Sequence, residues 1–261
     1  MDIHYLEGGS GKPVVFVHGL GAEGEDWAPL LPDVVRAGFH VYAVDLPGYG
    51  QSDAPAGRSY SIREQARFVE AFLEAMHTGP VALVGASMGG WISATVALDA
   101  PQRVERLVLM DSAGFAFKPN FEVALFTPST PEEVDALLAL LSPQPDPIPE
   151  FVKEDFIRQS SRRAWVVHRA LASMNAGEDF LDSRFLLVKV PVLIVWGKED
   201  RVTPLSLGEA MHRATPQSVL EVYDGCGHGF ETCFQRLAPR LIHFLTGHGP
   251  AAGETLEVPA H

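Results

Sequence analysis

Six short apolar runs recur along the chain with helix-patterned stretches between them: 13–18 (PVVFVH), 41–45 (VYAVD), 81–84 (VALV), 104–111 (VERLVLMD), 190–196 (VPVLIVW) and 219–223 (VLEVY). They constrain the fold more than any other feature. Runs this continuous, rich in Val and Leu, suit strands covered on both faces. Their alternation with helices predicts an α/β architecture, a mostly parallel, doubly wound sheet with helices on both faces. A further strand, IHYLEGG at 3–9, is expected ahead of the first run, and nothing in it touches chemistry. Ligands in such sheets bind at the carboxyl ends of the strands, so functional residues are sought there.

One region breaks the rhythm, for 115–187 carries helix patterns and no strand signal. TPSTPEEVDALLALL at 127–141 opens with polar capping residues and Pro131 in its first turn, then sets Val134, Leu137, Leu138 and Leu141 on one face. SPQPDPIPEF at 142–151 reads as an extended connector, after which 154–174 resumes helical spacing. A crossover needs far fewer residues, so this is read as a helical cap insertion over the strand ends. The expected division is a core in two parts, 1–114 and 188–246, the cap at 115–187, and a flexible, small and polar tail at 247–261. With 261 residues and 46% apolar content, the chain can bury a sizeable core.

The formal charge of −13 argues against nucleic acid or an anionic membrane as partner, since both attract basic surfaces. MDIHYLEGG has no basic start leading to an apolar core, and no apolar run reaches a membrane-spanning length, which makes a cytoplasmic protein without membrane insertion the expectation. The two cysteines, Cys226 and Cys233, make no disulfide framework and are expected as free thiols. No metal site is expected, because His212, His228 and His243 are isolated and no metal-ligand spacing occurs. GASMGG lacks the Lys-Ser/Thr of a nucleotide loop, so no cofactor is expected.

The stretch VALVGASMGGW at 81–91 carries the sharpest chemical signal, a buried-type strand followed by Gly85, Ser87, Gly89 and a Pro-free, Ala-rich helix pattern over 88–99. A strand that enters a helix through one sharp turn strains its central residue and needs small neighbours two before and two after it. Ser87 would then project from the sheet edge. A serine becomes a nucleophile only beside a base that an acid orients. Asp200 follows the strand pattern VLIVWGKE, and His228 follows VLEVY and the loop DGCG, giving the order Ser, Asp, His.

HGLG at 18–21, DLPGYGQSD at 45–53, GASMGG at 85–90, WGKED at 196–200 and GCGH at 225–228 together resemble the α/β-hydrolase superfamily, across essentially the whole chain. The resemblance implies the α/β-hydrolase fold with Ser87 as nucleophile, Asp200 as acid and His228 as base. It also implies an oxyanion hole from the backbone N–H groups of Leu20 and Met88. Asp111 ends a strand as well and is the rival for the acid. His18 reads as structural, supporting its loop by hydrogen bonds.

Aromatic or pliant residues near the strand ends and at the start of the insertion are the candidate substrate pocket: Trp27, Trp91, Phe115, Phe117, Phe121 and Phe126, with the Met88 side chain. Arg158, Arg162, Arg163 and Arg169 could meet an anionic substrate, although a solvated helix face is the plainer expectation. The expected activity is a serine carboxylic-ester hydrolase, similar to carboxylesterase and monoacylglycerol-lipase-like members, which cleaves small-molecule esters of short to medium acyl chain. GASMGG and WGKED are also similar to hydrolases of carbon–carbon bonds in vinylogous diketones. Those usually carry Gly-Pro-Gly after the His-Gly, where this chain has Leu20, Gly21 and Ala22. A cofactor-free perhydrolase or haloperoxidase and a non-catalytic ligand sensor are further alternatives.

Overall fold

The computed structural model describes residues 1–177 and 179–260. Its centre is an eight-stranded sheet of β1 (Tyr5–Gly9), β2 (Lys12–Val17), β3 (Phe39–Val44), β4 (Val81–Ala86), β5 (Val104–Met110), β6 (Val192–Gly197), β7 (Ser218–Tyr223) and β8 (Thr255–Val258). The spatial order is β1-β3-β2-β4-β5-β6-β7-β8. Only β1 runs antiparallel to its neighbour. After β2 the chain crosses to β3 on one side, then returns to lay β4 on the other. The loops leaving β2 and β4 therefore diverge at the sheet's switch point, where a crevice opens.

Strand side chains alternate between two apolar layers. Val15, Val17, Ile194 and Trp196 pack with α2 (Ile62–Ala75), α3 (Met88–Asp99) and α6 (Leu205–Ala214). Val14, Phe16, Leu193 and Val195 pack with α1 (Leu31–Arg36) and α7 (Phe234–Leu245). Cover on both faces explains why the strands read as continuous apolar runs. The helix α3 is buried on nearly all sides, and its glycines set how closely it lies. A Cβ on Gly89 would sit 2.1 Å from the Val17 carbonyl oxygen, and one on Gly90 would sit 2.3 Å from Ser112 Oγ.

Between β5 and β6 the chain forms α4 (Pro131–Leu141) and α5 (Glu150–Ala176). As its sequence predicts, α4 starts at a Thr130 cap, whose Oγ1 accepts the Glu133 N–H at 3.3 Å, with Pro131 at the first helical position. Val134 and Leu137 are its buried positions.

Two expectations fail. The stretch 247–261 is not merely a flexible tail, because Thr255–Val258 adds β8 parallel to β7 and buries Val258. Its residues are too few and too polar to read as a strand, and the unpaired edge of β7 recruits them. Cys226 and Cys233 are not free thiols but a disulfide, with Cα atoms 6.2 Å apart. They are seven residues apart in sequence, and a turn between β7 and α7 brings them together.

Candidate active site

Ser87 sits between the last residue of β4 and the first of α3 with φ 52° and ψ −118°. That positive-φ conformation is costly for a residue with a side chain, and it persists because strand and helix are both buried around it. Small residues let the turn close: a Cβ on Gly85 would lie 2.3 Å from the Gly89 carbonyl oxygen. The backbone after β2 passes just above, where a Cβ on Gly19 would be 3.2 Å from Ser87 Cβ and 3.8 Å from its Oγ. Leu20 lines the same cavity as Ser87. Met88 opens α3, so its N–H is one of the first-turn groups without an intrahelical acceptor. Two backbone segments suited to an oxyanion thus flank the serine.

His228 Nδ1 lies 2.8 Å from Asp200 Oδ2, with the two side chains 7% and 0% exposed. A carboxylate accepts only, so Nδ1 carries the proton and Nε2 is left as the basic nitrogen. The Asp200 carboxylate is itself fully engaged. Asp200 Oδ1 accepts the N–H groups of Val202 and Thr203 at 2.7 and 3.0 Å, and Oδ2 accepts the Thr203 hydroxyl at 2.7 Å. Asp111, the rival acid, instead accepts the Gly197 N–H on Oδ1 at 2.7 Å, joining the ends of β5 and β6. His18 is 1% exposed and binds Gly19 O at 2.8 Å and the Leu46 N–H at 3.0 Å, the supporting role its position suggests.

The helix α4 braces both loops. Its terminal carbonyls lack intrahelical partners, and Ala139 O accepts from Arg201 at 3.0 Å while Leu141 O accepts the Gly229 N–H at 2.8 Å. A Cβ on Gly227 would come within 2.6 Å of Leu141 O, so only glycine lets the histidine loop tuck beneath the helix end.

A cavity of about 80 Å³ opens beside Ser87 and Thr203. Trp91, Phe115, Phe117, Phe121 and Phe126 all line it, as their place in the sequence suggests. Trp27 does not: it is 3% exposed on the opposite face of the sheet, stacked on Phe234 with ring centroids 6.0 Å apart. It misled because it follows the HGLG loop closely, but the short turn Gly24–Trp27 folds it under β2. Met88's side chain is buried with Sδ 3.9 Å from Tyr49 Oη, outside the cavity lining. Leu171, Met174, Asn175 and Phe180 complete the wall from α5 and the turn after it. Periodicity alone could not say which α5 face meets the sheet. Phe180 stacks on Trp91 at 5.2 Å, and Trp91 Nε1 donates to Asp179 O at 2.8 Å.

Among the described residues, none that lines this cavity carries a charged side chain. Arg158, Arg163 and Arg169 are occupied by Asp155, Ser52 O and the carbonyls of Ala56 and Arg58. A larger hollow of about 280 Å³ lies at Pro47, Tyr60, Gln65 and Phe68, and Ser87, Asp200 and His228 are not among its lining residues. Chemistry, not size, selects the smaller cavity. Among the described residues no group of three His, Cys, Asp or Glu side chains is arranged to hold a metal ion.

Comparison with known proteins agrees with this fold. The chain is 29% identical over 244 residues to a 2-hydroxy-6-oxononadienedioate/2-hydroxy-6-oxononatrienedioate hydrolase of Burkholderia vietnamiensis, covering 87% of this chain and 85% of that one. A solved bacterial membrane phospholipase A is similar at 28% identity, with TM-score 0.85 over 94% of this chain and 83% of that one. The meta-cleavage product hydrolase of Pseudomonas fluorescens IP01 shares the fold at 22% identity, with TM-score 0.86 over 94% of each chain. Residues 12–230 match the family model described as alpha/beta hydrolase fold, and the chain belongs to that family of hydrolases.

Proposed function

We propose that this chain is a serine hydrolase that cleaves carboxylic esters of short to medium, uncharged acyl chain. The observation that carries the reading is the cavity beside Ser87, walled by Trp91, Phe115, Phe117 and Phe126 with no charged side chain among the described residues. An apolar acyl group gains by burial there, whereas a carboxylate would lose its hydration with no cation to meet it. In this reading Ser87 Oγ attacks the ester carbonyl carbon as His228 Nε2 takes its proton. Asp200 holds the imidazole and stabilises the imidazolium. The Leu20 and Met88 N–H groups bind the oxyanion, and His228 returns the proton to the departing alcohol. Water, activated by the same histidine, then releases the acyl group from Ser87. Residues 115–187 serve as the cap over the site.

A second reading keeps these residues and changes the bond to the carbon–carbon bond of a vinylogous diketone. The name of the Burkholderia relative supports this bond over the ester. Against it stand the uncharged cavity, since that relative's named substrates are dicarboxylates, and Leu20-Gly21-Ala22 in place of Gly-Pro-Gly. Among the described residues no helix is long and apolar enough to cross a membrane. A cytoplasmic site of action is part of the proposal, and the Cys226–Cys233 bridge, a bond that persists in oxidising compartments, weighs against it.

The test compares wild type and Ser87→Ala on p-nitrophenyl esters of graded acyl length and on a vinylogous diketone acid, with a fluorophosphonate probe in parallel. Ester turnover and labelling in the wild type, both lost in Ser87→Ala, are the expected result. Labelling with turnover of the diketone alone would transfer the assignment to the second reading. Full ester turnover by Ser87→Ala would remove the mechanism altogether.

A further inference from the structure

We infer that Thr203 is a positioning residue of this site, its hydroxyl holding the Asp200 carboxylate in the one orientation that serves His228. The inference rests on the proposed roles of Ser87, Asp200 and His228.

Thr203 Oγ1 stands at a junction, 2.7 Å from Asp200 Oδ2, 2.9 Å from Asp111 O and 3.2 Å from His228 Nδ1. A hydroxyl has one proton to give. Asp200 Oδ2 and Asp111 O can only accept, and the charged and nearer carboxylate is the stronger acceptor, so the proton points to Asp200. The His228 Nδ1 proton reaches the same Oδ2 at 2.8 Å. With the Thr203 N–H on Oδ1 at 3.0 Å, one residue supplies two of the four donors named around the acid.

The threonine is itself held. Trp196 Nε1 donates to its carbonyl at 2.9 Å, its N–H is spent on Asp200, and Pro204 follows at once to cap α6. Thr203 is 2% exposed, so bulk water does not replace the hydroxyl if it is removed. Branching at Cβ leaves few rotamers, and the hydroxyl keeps its aim. Without it the carboxylate loses a charge-assisted bond, and its Oδ2 is left with the imidazole as its one named donor, so the pair is held less firmly.

The test uses Thr203→Val, which keeps the shape and removes the proton, against Thr203→Ser, which keeps the proton. Turnover and fluorophosphonate labelling rates are followed across the range in which histidine titrates. In Thr203→Val kcat falls roughly tenfold or more, as for loss of one hydrogen bond to a charged group, with KM within about twofold because the cavity keeps its shape. The acid limb of its pH–rate profile moves to higher pH, since a carboxylate with one donor fewer favours the imidazolium more strongly. Thr203→Ser restores both the rate and the profile. If Thr203→Val fails to fold, Thr203→Ala against Thr203→Ser gives the same contrast. A folded Thr203→Val with wild-type kcat and profile, or a Thr203→Ser as impaired as the valine, would overturn the inference alone. No labelling of wild-type Ser87 would overturn the catalytic reading and this inference with it.

Discussion

His18 is 1% exposed and both of its ring nitrogens are committed, Nδ1–H donating to Gly19 O at 2.8 Å and Nε2 accepting the Leu46 N–H at 3.0 Å. That pattern needs the neutral ring. Burial, the largest influence, pushes the imidazole below its ordinary value, outweighing the Gly19 carbonyl and the negative charges of Asp45 and Asp26. A depressed value means that the unfolded chain binds this proton more readily than the folded one. The stabilisation is therefore complete above the unfolded value of about 6.5 and is lost as pH falls below it. Urea midpoints are expected to drop from neutral pH downwards, and His18→Gln, less stable at neutral pH, should lose that part of the slope. One proton contributes at most about 1.4 kcal/mol per pH unit. An unchanged slope in the variant would assign the pH dependence to other groups. The sequence exposes such residues unevenly. Ser87 is legible because its turn demands small neighbours on both sides, but Thr203 sits in RVTP, which reads as an ordinary loop until the fold brings Asp111 and His228 to it.

The strands and α3 are the elements most legible in the sequence, because burial on both faces writes itself as an unbroken apolar run. The bracing of the site by α4 is not legible, since it runs through the backbone carbonyls of Ala139 and Leu141, and a carbonyl has no letter. The bridge between Cys226 and Cys233 is equally silent, two letters whose meeting depends on the turn between β7 and α7. It closes the loop that carries His228, with Arg236 Nη2 2.7 Å from Cys226 Sγ and donating to Asp224 O at 2.8 Å. For so short a loop, restricting the unfolded chain is worth about 2–3 kcal/mol. Cys226→Ala with Cys233→Ala is expected to lower the denaturation midpoint by that amount. It should also reduce kcat, because the histidine loop then loses its one covalent tie and keeps only hydrogen bonds such as those to Leu141 and from Arg236. Equal midpoints and equal rates for wild type and the double variant would show that the loop holds itself without the bridge.

Across the whole molecule the sheet has two unlike edges, and each is closed by a short strand. Antiparallel β1 covers β3, while β8 covers β7, whose residues are all buried. A bare β7 would offer its N–H and C=O groups to any passing strand. The closure also reaches toward the site. The Asp224 N–H donates to Val258 O at 3.0 Å, Arg236 donates to Val258 O and Pro259 O at 3.3 and 2.9 Å, and Lys198 bonds Asp224 at 2.7 Å. The last strand thus ties down the start of the loop that ends in His228. A chain ending at Gly253 is therefore expected to keep its fold and its Ser87 labelling in the cold. It should melt lower by about 5 °C, for a loss of about 2 kcal/mol in a chain of this size. It should also associate as protein concentration rises, because the edge of β7 is then open. Thermal unfolding and light scattering on the two lengths decide the matter. If both melt alike and stay monodisperse, the order in β7 comes from the layers above and below it, and the edge strand is dispensable.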